Sequence, residues 1–263
     1  MRFIQSVWIV ILVIICLQLE AQSPYHFSWK KDVGLVALGG ATVGLGAYYR
    51  SNLPILTAGE IENLNPNNVN GFDRVAIDNY FGSADRLSDY FWGGSHLLPA
   101  LFLSGKKTRQ DFGAIAGLWG EVFFINVGIT ILTKNTFRRT RPFVYNPAAS
   151  IERKFTKTAR SSFISGHTSM TAANCFFAAK VFADYYPESR WKPAIWTTAA
   201  IIPAITGYLR VRAGKHFPTD TIAGYLVGAT TGILVPQLHK KKKKRDNISF
   251  YGGPGGALVQ VKF

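Results

Sequence analysis

An all-α fold, a bundle of six helices, is what this sequence of 263 residues predicts. Three observations carry that expectation. Six apolar stretches recur along the chain, each long enough for a membrane-spanning or a long buried helix. Several of them carry small residues four apart, a spacing that lets helix backbones approach closely. The two cysteines, Cys16 and Cys175, offer neither a disulfide framework nor metal-ligand spacing around which a different fold could form. Hydrophobic residues make up 48% and aromatics 14%, and mean hydropathy is just above zero, as in a membrane-associated or very apolar protein.

Taken in order, Met1 to Ala21 reads as a signal peptide: Arg2, an apolar run from Val7 to Leu17, and Ala21 before the cut. Cys16 follows Ile15, too large a residue for a lipoprotein box. Residues 22–86 hold a first helix over Val33 to Tyr49, with Gly40 and Gly44 four apart, and then an acidic connecting loop. That loop contains Asn65-Pro66-Asn67-Asn68-Val69-Asn70-Gly71 and a run of acids, Glu60, Glu62, Asp73, Asp78 and Asp85, with Asp89 close behind. Their spacing matches no calcium loop, and the segment reads as solvated surface rather than a lid. Residues 87–240 form the core of the bundle. Its helices are expected over Leu87 to Leu103, Phe112 to Leu132 with Gly113 and Gly117, Ile164 to Phe182, Ala194 to Leu209, and Thr219 to Leu238 with Gly224, Gly228 and Gly232. Residues 241–263 are a basic linker and a tail, alternating about Gly252-Gly253-Pro254-Gly255-Gly256 as a short strand pair or a disordered end would.

The net charge of +15, from 30 basic and 15 acidic residues, is clustered. Arg138, Arg139 and Arg141 form one group, Arg153, Lys154, Lys157 and Arg160 a second, and Lys240 to Arg245 a third. Because these groups flank apolar helices, they suit anionic lipid or a phosphate substrate better than nucleic acid. Lys106, Lys107 and Arg109, together with Lys240 to Arg245, would face the cytoplasm. That puts the third-to-fourth and fifth-to-sixth connections on the periplasmic side. A cut leader followed by a spanning Val33 to Tyr49 would reverse the sidedness, and the expectation kept is the periplasmic one.

Those two connections hold the candidate chemistry. Pro218 suits the first turn of a helix, so the last helix starts near Phe217 with Asp220 in its first turn and His216 just ahead of it. Asp220 is then close enough to accept a hydrogen bond from one imidazole nitrogen of His216, leaving the other as a nucleophile. Arg210, ending the preceding helix, brings a planar cationic fork to the same place. Lys134 on the last turns of the third helix and Arg141 beyond it can hold different oxygens of one phosphoryl group. Ser165 and Gly166 open the fourth helix, where free N–H groups point at an anion and the missing side chain lets it come close. His167 adds a titratable proton there.

In order, Lys134-x6-Arg141-Pro142, Ser165-Gly166-His167 and Arg210-x5-His216-x3-Asp220 resemble the three-part signature of the type 2 phosphatidic acid phosphatase (PAP2) and vanadium haloperoxidase superfamily, over about residues 85 to 240. Ile164 stands where that family usually has Pro, and Leu209 where it has Ser. The resemblance implies a metal-independent, cofactor-free phosphatase with a helical core of the PAP2 type. It assigns His216 as nucleophile, Asp220 as its partner and His167 as general acid and base, with Lys134, Arg141, Arg210, Ser165 and Gly166 binding phosphate. The implied substrate is a lipid phosphate or diphosphate in a membrane: phosphatidic acid, phosphatidylglycerol phosphate, undecaprenyl diphosphate or a lipid A phosphate. Rival readings are a soluble periplasmic acid phosphatase and a non-catalytic lipid-binding protein of the envelope. A haloperoxidase is disfavoured by the short chain and the lack of any halide site.

Overall fold

The computed structural model describes residues 23–241, with 248–253 and 256–261 of the tail. The expected signal peptide and residues 242–245 of the basic run lie outside the described residues. Among the described residues six long helices are present: α1 Trp29–Ser51, α2 Gly82–Ser95, α3 Phe112–Phe137, α4 Gly166–Tyr185, α5 Lys192–Arg212 and α6 Pro218–His239. The tail forms a hairpin of β1 Ile248–Gly253 and β2 Gly256–Val261, antiparallel with Ile248 opposite Val261.

One expected helix is not continuous. The stretch Leu87 to Leu103 divides into α2, which starts earlier at Gly82, and a 3-10 segment over Leu98–Leu103. Gly93 and Gly94 weaken the end of α2, and Pro99 supplies no backbone N–H. At 1.5 Å per residue, α2 is about 21 Å long, short of a hydrocarbon layer of about 30 Å. Among the described residues, three segments are long and apolar enough to cross a membrane: Phe112–Tyr145, Lys192–Arg212 and Pro218–His239.

Helix α4 is the centre of the molecule, packed against α6, α5, α3 and α2, while α1 lies along α3. Being enclosed on all sides, α4 carries its polar residues inward. Ser169 Oγ donates to Asn126 Oδ1 at 2.7 Å, and Asn174 both accepts from Trp119 Nε1 at 2.9 Å and donates to Ser95 Oγ at 3.0 Å. Such bonds between helices fix register where apolar packing alone would not. Ile115, Leu118 and Val122 of α3 and Met170, Ala173 and Phe177 of α4 form the main core.

The small-residue spacing has its expected effect on α6. A Cβ on Gly224, Gly228 or Gly232 would collide with the Ser165, Ser169 or Ala173 carbonyl oxygen of α4, so the two backbones touch along three turns. On α1 the expected pair is not the one that packs. Gly40 and Gly44 face open space, and Gly39 and Gly46 meet α3, because seven residues rather than four return to the same face along this contact.

Candidate active site

The site forms where the end of α3, the starts of α4 and α6, and the end of α5 meet. Pro218 occupies the first position of α6 and Phe217 is its extended N-cap, as the sequence requires. Asp220, in the first turn, reaches back to accept the Phe217 N–H at 2.9 Å. Its carboxylate also accepts from Ser162 Oγ and from Arg139 Nη1, each at 2.5 Å. The Asp220 main-chain oxygen accepts the Ser165 N–H at 2.9 Å, which fastens the start of α4 to the start of α6.

His216 is 1% exposed, and both of its ring nitrogens lack a hydrogen-bond partner. Asp220 Oδ2 is its neighbour at 3.6 Å from Nδ1. The sequence led us to expect a hydrogen bond there. The fold brings the two together without one, because the carboxylate is already drawn to its own helix cap, Ser162 and Arg139. Burial, and then the charges of Arg141, Lys134 and Arg210, hold the His216 imidazole well below its ordinary range. It is therefore neutral at physiological pH, the state a nucleophile needs.

Three cations surround it. Arg141, 6% exposed, donates Nη2 to the Ser161 carbonyl at 3.1 Å, and its Nε has no partner. Arg210, 4% exposed, donates Nη1 to Asp85 Oδ1 at 2.7 Å and to Ser88 Oγ at 3.0 Å, and its Nε is likewise unpartnered. Lys134 lies over the first turn of α4, its Nζ 3.5 Å from where a Gly166 Cβ would stand. Ser165 caps α4, its Oγ accepting from Thr168 N at 3.4 Å. A buried donor left unpaired costs about 1–3 kcal/mol, so several converging on one point describe a place for an anion.

His167, at the second position of α4, places Nε2 2.8 Å from Asp89 Oδ1 and stacks at 5.1 Å on Trp92. Burial and the Arg210, Lys134 and Arg141 charges push it down to about 3, opposed by Asp85. Asp89, in direct contact, also favours the imidazolium, and a phosphate dianion among the same three cations would offset them.

The fold thus brings together all eight residues singled out in the sequence. It adds others that were visible only as charge. Asp73, fully buried, accepts from Arg139 Nη2 at 2.7 Å, Thr219 Oγ1 at 2.7 Å, Thr219 N at 2.9 Å and Asn70 Nδ2 at 2.8 Å. Asp85 joins Arg210 to Lys215, whose Nζ is 2.9 Å away. Asp73 and Asp85 are therefore not solvated surface, since they hold cations beside the site and the start of α6, whereas Glu60, Glu62 and Asp78 are exposed as the sequence suggested. The two departures noted in the sequence are buried apolar residues here. Ile164 precedes the α4 cap, and Leu209 packs with Ala84, Ala213 and Phe91.

A cavity of about 500 Å³ lies elsewhere, lined by Leu101, Phe102, Cys175, Phe182, Ile195 and Ile202. Its walls are mainly apolar, and no basic residue lines it.

A buried imidazole, beside Lys134 and two arginines whose Nε atoms lack partners, is an arrangement that a phosphoryl group would fit in a helical membrane protein. Residues 116–244 match the model of the PAP2 superfamily. Over 184 residues the chain is 24% identical to a lipid A 4'-phosphatase of Porphyromonas gingivalis, covering 67% of this chain and 72% of that protein. Over 143 residues it is 27% identical to an undecaprenyl-diphosphatase of Sulfolobus acidocaldarius, covering 54% and 61% respectively. The crystal structure of a transmembrane PAP2 type phosphatidylglycerolphosphate phosphatase from Bacillus subtilis aligns over 90% of this chain and 96% of its own, with a TM-score of 0.46 and 19% identity. Residues 116–244 are thus a PAP2 superfamily region of this chain.

Proposed function

We propose that this protein is a lipid phosphate phosphatase that works through a phosphohistidine at His216. The observation that carries the proposal is the enclosed His216 ring, with neither nitrogen bonded, among Lys134, Arg141 and Arg210. With Nδ1 facing Asp220, Nε2 attacks phosphorus in line. A P–N bond forms as the P–O bond to the lipid breaks, and His167 gives its proton to the departing oxygen. Asp220 balances the positive charge on the phosphorylated ring. Water then attacks phosphorus, its proton passes to His167, the P–N bond breaks and phosphate leaves. Lys134, the two arginines, the Ser165 hydroxyl and the Gly166 N–H hold the equatorial oxygens throughout. No step of this sequence runs through a metal ion.

The substrate is a lipid monophosphate or diphosphate, for which the names of the two relatives suggest lipid A and undecaprenyl diphosphate as first trials. The site faces the periplasm in this proposal. The short helix Lys106–Gln110 lies at the other end of α3 from Lys134, and Lys240 and Lys241 lie at the other end of α6 from His216, where the cytoplasm is expected.

The test is phosphate release by detergent-purified protein, with a chelator present, from phosphatidic acid, phosphatidylglycerol phosphate, undecaprenyl diphosphate and lipid A. His216→Ala is expected to abolish release and the acid-labile phosphoenzyme together. Unchanged turnover in His216→Ala would sink the mechanism.

A further inference from the structure

At the far end of α6 from His216 lies a second cluster that phosphate chemistry does not use. Asp32 comes from the first turn of α1, Glu121 from α3 and His239 from the last turn of α6, and one donor atom from each lies within 4.8 Å of the other two. We propose that these three residues bind a divalent transition metal ion of the zinc class and clasp the three helices together.

The hydrogen bonds orient the three groups. His239 Nδ1 is 2.8 Å from the Val235 carbonyl, which can only accept, so Nδ1 carries the proton. In the neutral ring, Nε2 then presents a lone pair, the arrangement that orients metal-bound histidines through their second nitrogen. That lone pair faces Asp32 Oδ1 at 2.9 Å and Glu121 Oε2 at 3.3 Å. Three acceptors pointing at one another repel unless a cation lies between them. Glu121 Oε2 is buried with no hydrogen-bond partner, and a carboxylate inside a spanning helix needs a compensating charge. Lys31 does not fill that need by hydrogen bonding, since its ammonium donates to the His26 and Leu238 carbonyls.

The dimensions fit. Four ligands at about 2.0–2.1 Å around a tetrahedral ion stand about 3.3 Å apart. One imidazole and two carboxylates suit zinc or a neighbouring first-row ion, and the fourth position falls to water. The Asp32 side chain is 18% exposed, which gives the ion a path from solvent, while His239 is enclosed and faced by Phe27 at 5.2 Å. The sequence could not show this site, because its ligands come one each from three distant helices. The competing arrangement is a metal-free His239 imidazolium paired with both carboxylates.

The full-length protein in detergent is stripped with a chelator, dialysed and titrated with Zn²⁺. Metal content, thermal midpoint and, with Co²⁺ in place of Zn²⁺, visible d–d absorption are followed in the native protein, Glu121→Gln and Asp32→Asn. The native protein should retain about one equivalent, rise in thermal midpoint by several degrees and show a tetrahedral Co²⁺ spectrum. Each variant should bind at least about tenfold more weakly and lose the thermal shift, with phosphate release unaltered. No retained metal and no thermal shift in the native protein would overturn the proposal in favour of the imidazolium pair, as would equal shifts in the variants. If one variant fails to fold, the other and the Co²⁺ spectrum of the native protein still decide. Chelation should lower stability without stopping phosphate release, which keeps this result separate from the test of the phosphohistidine.

Discussion

Arg210 shows how one side chain can serve two neighbours. Its Nη1 is committed to Asp85 and Ser88, while its Nε is left over for substrate. A lysine concentrates its donors on one nitrogen and cannot do both, so Arg210→Lys should lower kcat/KM by about 10–100-fold despite keeping the charge. Asp89 bears on the proton of His167 instead. As general acid in the first step, His167 must be protonated, so the rate falls as pH rises through its pKa in the substrate complex. Asp89→Asn removes a negative charge 2.8 Å from Nε2 and makes the imidazolium less favourable. The alkaline limb of kcat against pH should move to lower pH by about half to one unit, tempered by the exposure of Asp89 to solvent. An unmoved limb would remove Asp89 from the proton path. Neither partnership was legible in the sequence, because α2 meets α4 and α5 only through the tertiary fold. His216, Arg210, Lys134, Arg141, Ser165 and Asp220 were legible, since each is fixed by a helix end a few residues away.

At the level of elements, the apolar runs and helix signals located all six helices. What they missed has physical causes. The second run had the composition of one helix, yet its Gly-Gly and Pro99 end it early. The acidic run resembled a solvated loop because a buried carboxylate is recognised only by its partners, and Asp73 finds Arg139 and Thr219 far along the chain. Glycine spacing on α6 predicted a close helix contact, and the fold supplies α4 as its partner. Gly228 faces the Ser169 carbonyl and the Ala172 Cβ with no room to spare, so Gly228→Leu must force the helices apart. The expected cost is about 1–3 kcal/mol or more, seen as a thermal midpoint lowered by several degrees and accompanied by loss of activity. Retention of both would mean that the contact is looser than the geometry indicates.

The outside of the whole molecule is as informative as its interior. Ile201, Ile205 and Tyr208 on α5, and Ile222, Leu226, Leu234 and Leu238 on α6, point outward and are exposed. Apolar faces on spanning helices belong in lipid, so detergent and not a salt wash should release the protein from membranes. Recovery in the salt wash would favour the soluble phosphatase. The same layout bears on how this protein could change its substrate over time. The two imidazoles are borne at adjoining ends of α4 and α6, whose main chains touch along three turns, so the gap between them is set as if by calipers. Helix α2 and the segment before it border the site and join those calipers through Asp73, Asp85 and Asp89 as well as through apolar contacts at Phe217 and Leu209. A lineage could redraw the guest list at the entrance by altering that segment and leave the distance between acid and nucleophile untouched.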